Sequence, residues 1–160
     1  MSVVSNTGPL IALAKVDQLA LLQALFDQVK IGPVVQRELL AKAGEEAEHL
    51  DAALSTFVAV VDPFTVPPDV RLAASTLDAG EREAVALARL EGLPLVIDDR
   101  LGRQVARRLG IRVTGTGGVL VAAKQKGLVS AVRPLVDQIR RNGYWLSDEV
   151  VGLVSRLAGE

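Results

Sequence analysis

Four carboxylates in this chain, Glu38, Glu81, Asp98 and Asp99, have the spacing of a set that meets at one end of a parallel sheet. Where such a set would begin, after the first strand-like run, stands Asn6. Gathered carboxylates hold hard divalent cations, and oxygen-only ligands suit Mg²⁺ or Mn²⁺. An ion held this way lowers the pKa of a bound water and neutralises charge on a phosphate, which is the chemistry of phosphodiester hydrolysis. Asn6 keeps an oxygen ligand but removes one negative charge, so ion affinity and catalysis both turn on that position.

Composition removes most other chemistries. The chain has 160 residues and no cysteine, which excludes disulfides, thiolate metal sites and a cysteine nucleophile. The single histidine, His49, lies in the acidic stretch GEEAEHLD and is expected at the surface. A His-rich zinc site is therefore impossible, and a Ser-His-Asp triad has no suitable imidazole. Hydrophobic residues make up 49% and aromatics 3%, which predicts one domain with an aliphatic core. No apolar run reaches the ~18 residues of a membrane span, and the first residues lack the basic start of a signal peptide. The expectation is a cytoplasmic protein with no membrane association. Charge is unevenly spread: residues 1–99 hold 7 basic and 15 acidic side chains, while residues 100–141 hold 10 basic and 1 acidic. A metal site on one side and attraction for a polyanion on the other would produce that pattern, as would a solvated basic helix face.

The elements that must position the acids follow from periodicity and punctuation. Val3-Val4 reads as a first strand ending at Ser5-Asn6, with Pro9 in the first turn of the helix that follows. Helical spacing runs from Leu10 to Phe26, and Val29–Ile31 is a second strand. A helix over 34–41 carries Glu38, and an acidic helix follows over 44–54. FVAVV, 57–61, is a third strand, and the proline-rich PFTVPPDV, 63–70, reads as a loop. Asp78 caps a helix that contains Glu81 and stops at Gly92. Leu95–Ile97 is a buried strand leading into Asp98-Asp99, 100–109 a helix, and Ile111–Val113 a strand. Thr114–Gly118 reads as a loop before the helix VLVAAKQKG, and two further helices are expected at 129–141 and 147–158. Short apolar strands alternating with helices call for a parallel sheet covered on both faces. Sites in such sheets lie beyond the carboxyl ends of the strands. Residues 1–128 form the sheet-bearing domain in this reading, and 129–160 a helical extension packed on it with a small core of its own.

Each acid has a competing structural role. Successive side chains alternate along a strand, so Asp98 and Asp99 cannot both enter one site. Asp99 is assigned to the site, and Asp98 to the cap of the helix at Arg100. Glu83 lies about 200° round the helix from Glu81, so the two cannot share a site and one must face solvent. Glu38 stands beside an apolar helix face, with an ion pair to Lys42 as its alternative. Arg100, Arg103 and Arg107, at i, i+3 and i+7, form a basic stripe next to Asp99. Tyr144 and Trp145, in GYWLSDE, are expected to anchor the terminal helix on the core rather than to stack on bases.

The segments VVSNTGPLIALAKV, VVQREL, LDAGEREAVALA, LPLVIDDRLGRQVARRLGIRVTGTGGVL and AAKQKGLVSAVRPLVDQIRRNGYWLSDEVV together resemble the PIN-domain superfamily of Mg²⁺/Mn²⁺-dependent ribonucleases. More closely, the chain resembles the PIN-like proteins of the DUF3368 type, and the resemblance covers essentially the whole chain. The resemblance implies an α/β fold with a parallel sheet of about five strands in the order 3-2-1-4-5, helices on both faces and a helical C-terminal tail. It implies Asn6, Glu38, Glu81 and Asp99 as the metal and catalytic positions, the separation of 18 residues from Glu81 to Asp99 favouring these over Glu83 and Asp98. Thr7, Asp98 and Thr116 are accessory positions. Further implications are RNA cleavage leaving a 3′-hydroxyl and a 5′-phosphate, RNA backbone contacts from Arg100, Arg103 and Arg107, a homodimer, and a role as toxin beside a small antitoxin protein. Two other readings compete: a PIN-like module that binds RNA or protein with weak or no catalysis, and a nucleotide-binding protein using Thr114–Gly118 at a helix N-terminus.

Overall fold

Val3 and Val4 show how the sheet is built. Both are fully buried, and they belong to different hydrophobic clusters. Consecutive strand residues point to opposite faces, so a strand with apolar residues at every position must have a core on each side. Leu95, Val96 and Ile97 repeat the pattern: Leu95 and Ile97 join Val4 in one cluster, and Val96 joins Val3 in the other.

The computed structural model describes residues 1–42 and 44–160. The strands are β1 (Val3–Ser5), β2 (Val29–Ile31), β3 (Val58–Val60), β4 (Leu95–Val96) and β5 (Val113–Thr114). All pair in parallel, in the order β3-β2-β1-β4-β5. This is the order that the family resemblance implies. The helices are α1 (Thr7–Ala14), α2 (Ala20–Leu25), α3 (Pro33–Lys42), α4 (Ala47–Leu54), α5 (Pro68–Ala73), α6 (Ala79–Glu91), α7 (Arg100–Arg108), α8 (Thr116–Gln125), α9 (Arg133–Arg141) and α10 (Asp148–Leu157). Helices α5, α6 and α7 supply the Val4 cluster, and the others supply the Val3 cluster.

Several boundaries differ from the sequence reading. The helical run from Leu10 to Phe26 is broken into α1 and α2 by a turn in which Asp17 has a φ of 52°. The proline-rich stretch ends in a helix, with Pro68 at its first position, where the missing N–H costs no bond. The last strand lies later than Ile111–Val113, because Val113 and Thr114 are the residues that register with Leu95 and Val96. Helix α8 begins inside the glycine-rich loop, at Thr116.

The C-terminal helices have no core of their own. Val132, Val136, Ile139, Leu146, Val151 and Val154 pack in the same cluster as Val3 and Leu10. Gly117 on α8 lets α10 come close, since a Cβ there would collide with Val154. Among the described residues no helix is long and apolar enough to cross a membrane.

Candidate active site

Strand parity continues past the end of β4 and sorts the two aspartates. Asp98 shares the side of Val96, where α8 and the C-terminal helices lie, and Asp99 shares the side of Ile97, where α6 and α7 lie. Their hydrogen bonds follow this division. Asp98 accepts from Thr116 N at 2.7 Å, Thr116 Oγ1 at 2.6 Å and the Tyr144 hydroxyl at 2.6 Å. Asp99 accepts from Gly102 N at 2.7 Å and so caps α7. The expected division of labour is therefore reversed at the cap. Asp99, assigned to the site, is the residue that caps α7, and Asp98 is committed to the opposite face.

Glu81 opens α6 within a capping box. Its backbone N–H donates to Asp78 Oδ1 at 2.8 Å, and its carboxylate accepts from Asp78 N across a longer 3.3 Å. Burial, followed by the charges of Asp78 and Asp99 and, least, that of Glu38, pushes the Glu81 carboxyl up to about 6 against the opposing Asp78 N–H. Glu81 thus feels both other candidate acids. Glu38 arrives from α3, and its carboxylate lies against Gly80, the residue before Glu81; a Cβ on Gly80 would overlap Glu38 Oε1. Gly80 is the second residue of α6, and its missing Cβ makes room for an acid from another helix. The alternative ion pair of Glu38 with Lys42 involves a side chain outside the described residues.

Glu83 faces neither solvent nor this group. It is buried at 8% exposure and reaches α3, accepting from Val34 N at 2.9 Å and Val35 N at 3.0 Å. A Cβ on Gly32 would strike its carboxylate. The acid left out by helix geometry therefore caps the helix that carries Glu38, a role that an acid among alanines does not announce.

Asn6 lies just past β1, buried at 9% exposure, with extended backbone. Its N–H donates to Val96 O at 3.0 Å, and its side chain makes no cap bond to α1. Continued alternation gives Asn6 the parity of Val4, the side of α6 and α7. Thr7 is buried, and its hydroxyl has no hydrogen-bond partner among the described residues. Thr116 is fully buried, and its hydroxyl is spent on Asp98, which places it in the support of the edge.

The basic stripe is uneven. Arg100 and Arg107 are exposed, while Arg103 is half-buried beside Asp98, with Nη1 3.4 Å from Ile97 O. Burial and the neighbouring Arg107 lower its pKa, and Asp98 opposes that. Both Arg103 Nη1 and Asp98 Oδ1 crowd the Cα of Gly115. Tyr144 brings the tail to the same place, its hydroxyl between Asp98 and Gly8. Burial and then Asp98 raise the phenol pKa. Trp145, expected on the core, is instead 82% exposed, and Leu146 takes the buried position. His49 is exposed, as expected, with Nδ1 3.2 Å from Asp17.

The start of α8 lends the nucleotide-binding reading no support. The amide at the start of α8 is already bound to Asp98, and Gly117 and Gly118 have their free faces against Val154 and Thr114. A divalent cation meets suitable chemistry, since Asn6, Glu38, Glu81 and Asp99 are all oxygen donors, and Thr7, the residue after Asn6, has a buried hydroxyl with no hydrogen-bond partner among the described residues. As placed, no three acidic or histidine side chains among the described residues form a ligand set. Glu81 and Asp99 each give one carboxylate oxygen to a helix N–H group, which leaves the second oxygen of each to meet an ion.

Residues 2–160 match the family model DUF3368, PIN domain, and the chain belongs to that family. PIN domains generally have nuclease activity and typically use divalent metals. No curated protein matches the chain.

Proposed function

We propose that the protein is a ribonuclease that depends on Mg²⁺ or Mn²⁺. The observation that carries this reading is the packing of Glu38 onto Gly80, which brings an acid from α3 beside Glu81 at the edge where β4 delivers Asp99. Glu38, Glu81 and Asp99 would hold the ion, with the Asn6 amide oxygen as a neutral fourth donor. When bound, it supplies a hydroxide nucleophile and neutralises phosphate charge. Burial, then the charges of Asp78 and Asp99, raise the Glu81 pKa, and a divalent cation would relieve that repulsion, which favours this reading. Arg103, backed by Asp98, and the exposed Arg100 and Arg107 are suited to hold the RNA backbone. With amide in place of carboxylate at Asn6, a weaker site that prefers Mn²⁺ is expected.

A second reading, a module that binds RNA without cutting it, is favoured by Asn6 and by the caps that occupy Glu81 and Asp99. One assay separates the two. Single-stranded RNA incubated with the protein should be cleaved in Mn²⁺ or Mg²⁺, and cleavage should disappear with chelator and in Asp99→Asn. RNA that is bound but left intact under every metal condition would overturn the nuclease reading. The biological setting proposed with it is a homodimeric toxin restrained by a small antitoxin protein. Induction of the chain should then arrest growth, and Asp99→Asn should not.

A further inference from the structure

Strands β1 and β4 pair through Val4 with Leu95 and Ser5 with Val96. The bond from Asn6 N to Val96 O, at 3.0 Å, is the last backbone bond between them among the described residues. Beyond it the two chains part into α1, from Thr7, and α7, from Arg100. Asn6 lies at that limit and Asp99 past it, so the ladder does not hold these two candidate ligands together. Tyr144, from the tail, spans the gap. Its hydroxyl donates to Asp98 Oδ2 at 2.6 Å and lies against Gly8, where an added Cβ would stand 2.7 Å from it. Gly8 is two residues after Asn6, and Asp98 is the residue before Asp99. The half-buried tyrosine is itself fixed, since its N–H donates to Ile139 O at 3.2 Å and Leu146, two residues on, is buried.

From this we infer that Tyr144 is a positioning residue: its hydroxyl fixes the ends of β1 and β4 relative to each other, and so the spacing of Asn6 and Asp99 for a divalent cation. It touches neither ion nor RNA and acts through Gly8 and Asp98. Hard cations demand oxygen donors at defined places, and side chains that hold the ligands in place tune affinity without binding the ion. Thr116 also holds Asp98, but from α8; Tyr144 is the residue that reaches across to α1. The other account of Tyr144 is an anchor for the C-terminal helices. A phenylalanine would serve that purpose, and Leu146, Val151 and Val154 are already buried there. The inference rests on the metal-dependent reading, and it adds a residue of the tail to the support of that site.

Mn²⁺ alone is the probe, its binding to the full chain followed by loss of the free-ion paramagnetic resonance signal. Tyr144→Phe, which keeps the ring and loses the hydroxyl, should weaken Mn²⁺ binding roughly 10-fold. Gly8→Ala removes no polar group but drives the hydroxyl from its place, and should weaken binding in the same direction. Added to Tyr144→Phe, it should cost nothing further, because the ring carbons would stand at an ordinary 3.6 and 3.7 Å from the new methyl. Glu160→Gln loosens the same tail at a distance and should leave Mn²⁺ affinity unchanged. Either single variant binding Mn²⁺ as tightly as the parent overturns the proposal and leaves the nuclease reading standing. Equal weakening by Glu160→Gln also overturns it, and reduces Tyr144 to an anchor. If Tyr144→Phe fails to fold, Gly8→Ala set against Glu160→Gln decides alone. A parent protein that binds no Mn²⁺ and leaves RNA intact overturns both readings.

Discussion

At Gly80 a single missing methyl decides where an acid can sit. Gly80 lies in the first turn of α6, so Gly80→Ala should change stability by no more than ~1 kcal/mol. The added Cβ would occupy the place of Glu38 Oε1, so the flexible end of Glu38 would have to swing away. Displacements of about 1 Å at a catalytic group can cost on the order of 10²-fold in rate. RNA cleavage by Gly80→Ala should fall by about that factor while its melting temperature holds. A variant as active as the parent would remove Glu38 from the site. The glycine is visible in the sequence as DAGE, but only the approach of α3 shows that it accommodates a carboxylate. Asp98 and Asp99 could be separated by parity from the sequence, whereas their hydrogen-bond partners could not. Those lie on α7, α8 and the tail, far away in sequence or hidden in a turn.

Among the elements, α3 depends on an acid borrowed from α6. Glu83 receives the N–H groups of Val34 and Val35 in a buried setting, and water cannot replace it there. Glu83→Ala should destabilise the protein by about 2–3 kcal/mol, as expected when buried donors lose a charged acceptor, and denaturant titration measures this. Cleavage should fall as well, because the start of α3 sets the path of Glu38. A Glu83→Ala protein as stable as the parent would contradict the cap. Strong local signals made other elements legible: Asp78 and Gly92 bracket α6 as their chemistry requires, the glycine with a φ of 65°. Weak signals failed where tertiary contacts decide. Helix α5 emerges from a run of prolines, and the position of β5 follows from its pairing with β4. In Tyr-Trp-Leu any of the three could have been the buried anchor, and Leu146 takes that role while Trp145 stays outside.

The whole molecule is closed by its C-terminal helices, and Glu160 fastens them. Its carboxylate accepts from Val132 N at 2.8 Å and Arg133 N at 3.0 Å and pairs with Lys124 at 2.9 Å, tying the ends of α8 and α10 to the start of α9. The Val132 N–H, then Lys124 and the Arg133 N–H, lower its pKa from 4.5 to about 2. The unfolded chain therefore binds the proton more readily, so this stabilisation is complete above about pH 4.5 and is lost as pH falls toward 2. The parent should exceed Glu160→Gln in melting temperature near neutral pH, and the gap should narrow steadily below pH 4.5. A gap independent of pH would show that the charge contributes nothing. The order of the sheet came from family likeness, because short all-apolar strands do not specify their neighbours.

One peptide unit joins the two aspartates after β4. Asp98 faces the tail through Tyr144, and Asp99 faces the candidate site through the start of α7. A trans peptide is planar and holds its two Cα atoms about 3.8 Å apart, so it behaves as a stiff crossbar rather than a hinge. Tilting it at the Asp98 end also tilts it at Asp99. The seating of the tail and the aim of the site carboxylate therefore share one rigid plane, which gives a load applied at Tyr144 a path to Asp99 that does not pass through the sheet.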